Sequence, residues 1–218
     1  MTESSSKGAT LRLVALAILV GAISAVGGIS LWNVLQGPEK SASSSSTLMI
    51  LPEPRVIADF ALVDDQNRPF TLENLRGHWT VLFFGFTHCP DICPSALYDL
   101  NLVSQSLGEL AGETPPDVRF VFVSIDPERD TPEKLAQYVG YFNPEFTGVT
   151  GPEEQLAPMA MQLGIAYQIE PHDPGAEQYD VYHTASFLLT DPDGRLHGVF
   201  PAPHDAQKIT HDLAAAID

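Results

Sequence analysis

Apolar residues along this chain change period several times, and the changes mark out its elements. From Leu13 to Pro38 no residue is charged and most are Leu, Val, Ala, Ile or Gly, a run long enough to cross a bilayer as a helix. Serine and proline then take over, through Ser41-Ala42-Ser43-Ser44-Ser45-Ser46 and Pro38, Pro52 and Pro54, which reads as a flexible tether. The pattern divides the chain into an N-terminal segment (1–12), a membrane span (13–36), a linker (37–54) and a folded domain (55–218). Within that domain short apolar runs alternate with helical spacing. Asp59–Asp64 and Arg68–Leu72 flank a polar turn and read as a hairpin. Thr80–Phe86 and Arg119–Ile125 are apolar throughout and read as buried strands. Tyr179–Thr190 and Arg195–Phe200 read as strands joined by the turn Asp191-Pro192-Asp193-Gly194. Helices are expected from the second cysteine to about Leu110, after the cap-and-proline pair Thr131-Pro132, from Glu153 to about Leu163 with Pro158 as a kink or an early stop, and over Asp205–Ile217. Alternation of this kind predicts an α/β fold with a mixed central sheet flanked by helices.

Between the first buried strand and its helix lie both cysteines of the chain, in Phe84-Gly85-Phe86-Thr87-His88-Cys89-Pro90-Asp91-Ile92-Cys93-Pro94. A helix N-terminus favours thiolate over thiol, and Cys-x-x-x-Cys spacing sets Cys89 and Cys93 about one helical turn apart. Sulfurs so placed can close a disulfide or share one soft metal ion. Two cysteines are too few to staple a chain of 218 residues, which has length enough to bury a core without them. Their pairing therefore concerns redox or metal chemistry.

A third group is expected opposite them. In a βαβ core the loop entering the later hairpin faces the helix that carries the cysteines. That loop is Tyr179-Asp180-Val181-Tyr182-His183-Thr184-Ala185, and it holds a histidine where ordinary dithiol reductases carry a cis-proline. Two sulfurs and an imidazole suit copper, Cu(I) above all, in three-coordinate geometry, whereas zinc takes a fourth ligand. Equally open on composition is a strand-end His183 that merely hydrogen-bonds. His88 is expected to turn away from the sulfurs, His197, His204 and His211 to be surface residues, and Met159 and Met161 to face different sides of their helix.

Charge bears on partners and compartment. The net charge of −17 argues against a nucleic-acid partner. Residues 1–40 carry Lys7, Arg12 and Lys40 against Glu3 and Glu39, a balance of +1, which leaves −18 on the remainder. Lys7 and Arg12 precede the apolar run, so the N-terminus is expected in the cytoplasm and the domain outside. A cleaved signal peptide would have a shorter apolar region, although Ala22-Ile23-Ser24-Ala25 and Ser41-Ala42-Ser43 offer cutting sites. With no Arg-rich presequence, the expected place is a bacterial inner membrane, single-pass, with the domain in the periplasm.

These residues resemble the Sco/SenC family, the membrane-anchored copper chaperones of cytochrome c oxidase assembly. Phe84–Pro94 matches the family's signature almost residue for residue, Ser124-Ile125-Asp126-Pro127-Glu128-Arg129-Asp130-Thr131 matches its second hallmark and His183-Thr184 its third. The resemblance spans about Arg55–Ile217. It implies a thioredoxin-like fold in which Cys89, Cys93 and His183 hold one copper ion. The implied task is delivery of that ion to the dinuclear copper site of oxidase subunit II, or reduction of that subunit's cysteines. The chain departs from the family at Tyr182, where an acidic residue usually precedes the histidine; Asp91 and Asp126 are the candidates to supply that charge. A metallochaperone turns nothing over, so enzymatic activity is expected only if the cysteine pair cycles as a thiol–disulfide oxidoreductase. A copper or redox sensor would use the same residues. A peroxiredoxin would need Thr where Phe86 stands.

Overall fold

The computed structural model describes residues 46–111 and 117–217. In chain order these form β1 (Met49–Val56), β2 (Ala61–Asp64), β3 (Pro69–Thr71), a short 3-10 turn (Leu72–Leu75), β4 (Trp79–Gly85), α1 (Ile92–Ala111) and β5 (Val118–Ser124). Then follow α2 (Pro132–Phe142), β6 (Thr147–Thr150), α3 (Glu153–Gln162), β7 (Tyr167–Ile169), β8 (Val181–His183), β9 (Phe187–Thr190), β10 (Arg195–Phe200) and α4 (Ala206–Ile217). Eight strands make one mixed sheet in the order β1-β10-β9-β4-β5-β6-β2-β3, while β7 and β8 form a separate two-stranded ribbon.

Parallel pairing of β4 with β5, and of β5 with β6, needs crossovers, which α1 and α2 provide. Strands covered on both faces must be apolar on both, and Val81, Leu82, Phe83 and Phe84 are all inaccessible to solvent. The expected apolar side of α1 is buried through Leu97, Leu100, Val103 and Leu107. Thr131 caps α2 by accepting from the Lys134 amide at 3.3 Å, with Pro132 as first helical residue. Asp205 caps α4 by accepting from the Gln207 and Lys208 amides. Both hairpin turns rest on an aspartate: Asp64 accepts from the Gln66 and Arg68 amides, and Asp191 from those of Asp193 and Arg195.

Four expectations need correction. The linker does not extend to Pro54, because the folded unit begins at Ser46 and β1 pairs antiparallel with β10. Two prolines hide this strand from a sequence reading. They are tolerated because β1 is an edge strand whose register breaks between Ile50 and Arg55, so their missing N–H groups leave no ladder position empty. The run Tyr179–Thr190 is not one strand: β8 belongs to the ribbon and β9 to the main sheet. Pro158 neither ends nor shortens α3, which continues to Gln162. His204 precedes α4 and is no plain surface residue, since it stacks half-buried on Phe187 at 3.6 Å. The eight-residue β1 and the short strands β6 and β7 were not expected at all. The predicted membrane span 13–36 lies outside the described residues, among which no helix is long and apolar enough to cross a bilayer.

Candidate metal centre

β4 delivers the cysteine loop at its C-terminal end. The chain turns after Phe86, whose carbonyl accepts from the Cys89 amide at 3.3 Å, and enters α1 at Ile92. Cys93 lies in the first helical turn and is completely buried; Cys89 lies just outside it and is partly exposed. The two meet as the spacing predicts, for the Cys93 amide donates to the Cys89 sulfur at 3.3 Å. Cys89 thus satisfies one of the free N–H groups at the helix start.

Both cysteines are unbridged. The neighbouring Cys93 side chain is the largest cause that lowers the Cys89 pKa, to about 3. Burial opposes the shift, while the backbone N–H groups of Cys93 and Asp91 assist it. The same side-chain pairing, followed by burial, pushes Cys93 up. The two shifts run in opposite directions and favour the negative charge on Cys89 over Cys93.

Behind Cys93 there is no spare room. A Cβ on Gly85 would stand 2.8 Å from the Cys93 sulfur and 2.7 Å from the Phe122 ring. Glycine at the last position of β4 is therefore what admits the sulfur. Thr87, two residues before Cys89, is held by the fully buried Asp130, which accepts its amide at 2.8 Å and its hydroxyl at 2.5 Å. The Ser124 hydroxyl donates to the same carboxylate at 2.6 Å. The Asp126–Thr131 segment, beyond capping α2, thus fixes the approach to the cysteine loop from beneath.

His183 comes from the ribbon. It closes β8, opposite Tyr167 of β7, and the following Thr184 amide donates to the Ala166 carbonyl at 2.8 Å. Its ring lies at the edges of Phe83 and Phe86, with centroid separations of 6.1 and 5.9 Å. Nδ1 lies 3.0 Å from the Thr184 carbonyl, which can only accept, so the proton sits on Nδ1. Nε2 is left free and stands 3.5 Å from the Cys93 sulfur. The sulfurs of Cys89 and Cys93 and one nitrogen of His183 lie within 4.8 Å of one another. The three site residues expected from the sequence converge: His183 is a hydrogen-bonded strand-end histidine, and its second nitrogen also faces the sulfurs.

The two expected supporting carboxylates do something else. Among the described residues neither Asp91 nor Asp126 hydrogen-bonds the imidazole. Asp91 is exposed on the rim of a cleft of about 470 Å³ that opens over Cys89 and His183. Asp126 is buried and neutralised by Arg129, whose Nε donates to it at 2.5 Å. The orienting acceptor that Tyr182 does not provide is the Thr184 backbone carbonyl, whose role no side-chain pattern announces. His88 turns from the sulfurs, as expected. Its Nδ1 lies 3.2 Å from the Lys134 ammonium, a cation already seated between His88 and Asp130, so the His88–Asp126–Asp130 grouping is not read as a second metal centre.

A mixed α/β sheet of thioredoxin-like type, with two thiols at a strand–helix junction and an imidazole brought against them, defines a class of Cys₂His dithiol domains. Comparison with known proteins narrows the class. A family model described as SCO1/SenC matches residues 50–218. A Stutzerimonas stutzeri protein named for copper binding is 39% identical over 173 residues, 79% of this chain and 82% of that one. The Bos taurus mitochondrial SCO2 homolog is 34% identical over 197 residues, 90% of this chain and 73% of that one. Among solved structures, Arabidopsis thaliana ScoI with copper bound superposes with a TM-score of 0.67 at 33% identity, covering 74% of this chain and 98% of that one. Apo Sco1 from Thermus thermophilus gives 0.69 at 34% identity, covering 81% and 99%. The chain belongs to the SCO1/SenC family.

Proposed function

We propose that this protein is a copper metallochaperone that binds one copper ion through Cys89, Cys93 and His183 and passes it on by ligand exchange. The observation that carries this reading is the convergence of two sulfurs and one free ring nitrogen within 4.8 Å, beneath an open cleft. Soft sulfur with imidazole suits Cu(I), and three donors leave a position through which an incoming ligand can attack. Its lowered pKa favours the Cys89 thiolate that metal binding needs, while Cys93 must give up its proton on loading. In line with the family, the copper is destined for cytochrome c oxidase assembly, and the receiving site is the dinuclear copper centre of subunit II. Residues 13–36 anchor the domain to the outer face of a bacterial inner membrane, where that subunit is within reach.

Anaerobic loading of the full-length chain with Cu(I), followed by metal analysis, tests the reading. One ion per chain is expected, with affinity falling about 10- to 100-fold in His183→Ala. Unchanged affinity in that variant removes His183 from the ligand set and with it the chaperone assignment.

A second reading is favoured by the half-exposed Cys89 thiolate. That sulfur is poised to attack a partner's disulfide, Cys93 then resolving the mixed disulfide, so that the partner gains two electrons, one proton from Cys93 and a second from solvent, and this chain ends as the Cys89–Cys93 disulfide. The imidazole set against the sulfurs has no part in that exchange, which places copper first.

A further inference from the structure

Loop 170–180, which leads from β7 into β8, is secured by a group of side chains that metal binding does not itself require. Arg129, in the turn between β5 and α2, sends its guanidinium under this loop. Its Nη1 donates to the backbone carbonyls of Tyr179 at 3.1 Å and Glu177 at 3.3 Å, and its Nε to Asp126 at 2.5 Å. The guanidinium carbon lies 3.5 Å from the centroid of the Tyr179 ring, and the Tyr179 hydroxyl donates to the other oxygen of Asp126. His172 stacks on Tyr179, 3.7 Å away and nearly parallel. Arg129 and Asp126 are only 8% and 1% exposed, so water competes little for these bonds. Arg129 also lies 5.8 Å from the Phe86 ring, which packs roughly perpendicular to His183.

Tyr179 stands two residues before β8, and the Asp180 carbonyl accepts from the Glu170 amide at 3.0 Å to close the ribbon at that end. The ribbon lies outside the main sheet and has only two strands, too few to be stable alone in water. Something else must fix its position: on the β7 side the Tyr167 hydroxyl donates to Glu153 at 2.7 Å in an exposed hydrogen bond, and on the β8 side the buried Arg129–Asp126 pair ties in Tyr179. We propose that Arg129, Asp126 and Tyr179 are positioning residues, a latch that holds β8 so that the His183 imidazole stays against the Cys93 sulfur. The latch sets how readily that third donor lets go. Asp126 thereby acts on the site through the backbone of the loop and not through charge beside the metal. The consequence for copper rests on the ligand assignment above; the effect on the ribbon does not.

The test uses the full-length protein with Arg129→Lys, which keeps the charge and loses the fork, and Tyr179→Phe, which removes one hydroxyl and preserves folding. In the metal-free state, amide exchange over 167–169 and 181–184 should quicken about 10- to 100-fold in Arg129→Lys and less in Tyr179→Phe, with β4 and β9 unchanged. Competition with a Cu(I) chelator should show about a 10-fold loss of affinity in Arg129→Lys, and less than about 2-fold when the same change is made in His183→Ala. Unchanged ribbon exchange, or an equal affinity loss in both backgrounds, overturns the latch. If His183→Ala alone leaves affinity intact, the ligand assignment fails, while the exchange measurement still decides whether the ribbon is latched.

Discussion

The two halves of the candidate metal centre are built to different standards. The sulfur half grows out of the middle of the sheet: β4 is paired on both sides, Cys93 is fully buried, and Gly85 and Phe122 close in behind its sulfur. The imidazole half rides on a three-residue strand paired with another of three residues, outside the sheet, with its neighbour Tyr182 57% exposed. Local stability follows burial and pairing, so the first half opens only with the fold and the second can open by itself. A carrier that must grip an ion and then surrender it benefits from that inequality: two donors keep the ion's place while the third is released.

The difference can be broken most severely from the sulfur side. Gly85→Val inserts branched carbon where even a Cβ meets sulfur at 2.8 Å, and should cost about 1–3 kcal/mol of stability together with most copper binding, as read by thermal melting and metal analysis. Thr87→Val removes one of the two hydroxyls that donate to the Asp130 carboxylate and should destabilise by about 1–2 kcal/mol while weakening copper retention less than Gly85→Val does.

A smaller effect is expected on titration of the metal-free protein. The folded pKa of Cys89 lies far below that of an unfolded cysteine, so its thiolate stabilises the fold fully above the unfolded value, and that contribution fades as pH falls towards about 3. Alkylation of Cys89 should therefore stay nearly constant between about pH 8 and pH 5, where an ordinary thiol would slow by orders of magnitude. A normal thiol profile would mean that the pairing with Cys93 does not favour the Cys89 thiolate.

The smallest effect is expected on the ribbon. Tyr182→Asp restores the acidic residue usual in the family, yet Nδ1 of His183 is already committed to the Thr184 carbonyl. Copper affinity should move by less than about threefold. A larger gain would show that a carboxylate at 182 displaces the backbone acceptor.

What the sequence revealed, and what it hid, follows the same division. The cysteine loop was legible because strand, turn residues and helix start are contiguous, each with a local signature. His183 was legible as a candidate, but its partner β7 was not: Tyr167-Gln168-Ile169 is too short for periodicity to register. β6 was lost for the same reason, four residues with a glycine inside, and β1 because its prolines read as linker. Asp130 and Arg129 stood in a motif already singled out, yet their bonds to Thr87 and to the Tyr179 carbonyl cross 43 and 50 residues. No local pattern encodes such contacts, and the Thr184 carbonyl has no side-chain signature whatever.

The bare hydrogen that serves as the Gly85 side chain has a practical use. With strand and ring pressed against it, the Cys93 sulfur is a fixed origin within the molecule, from which lengths can be surveyed. A spectroscopic ruler run from the neighbourhood of that sulfur to a label on β8 would record the travel of the ribbon alone, with no correction for movement at its other end.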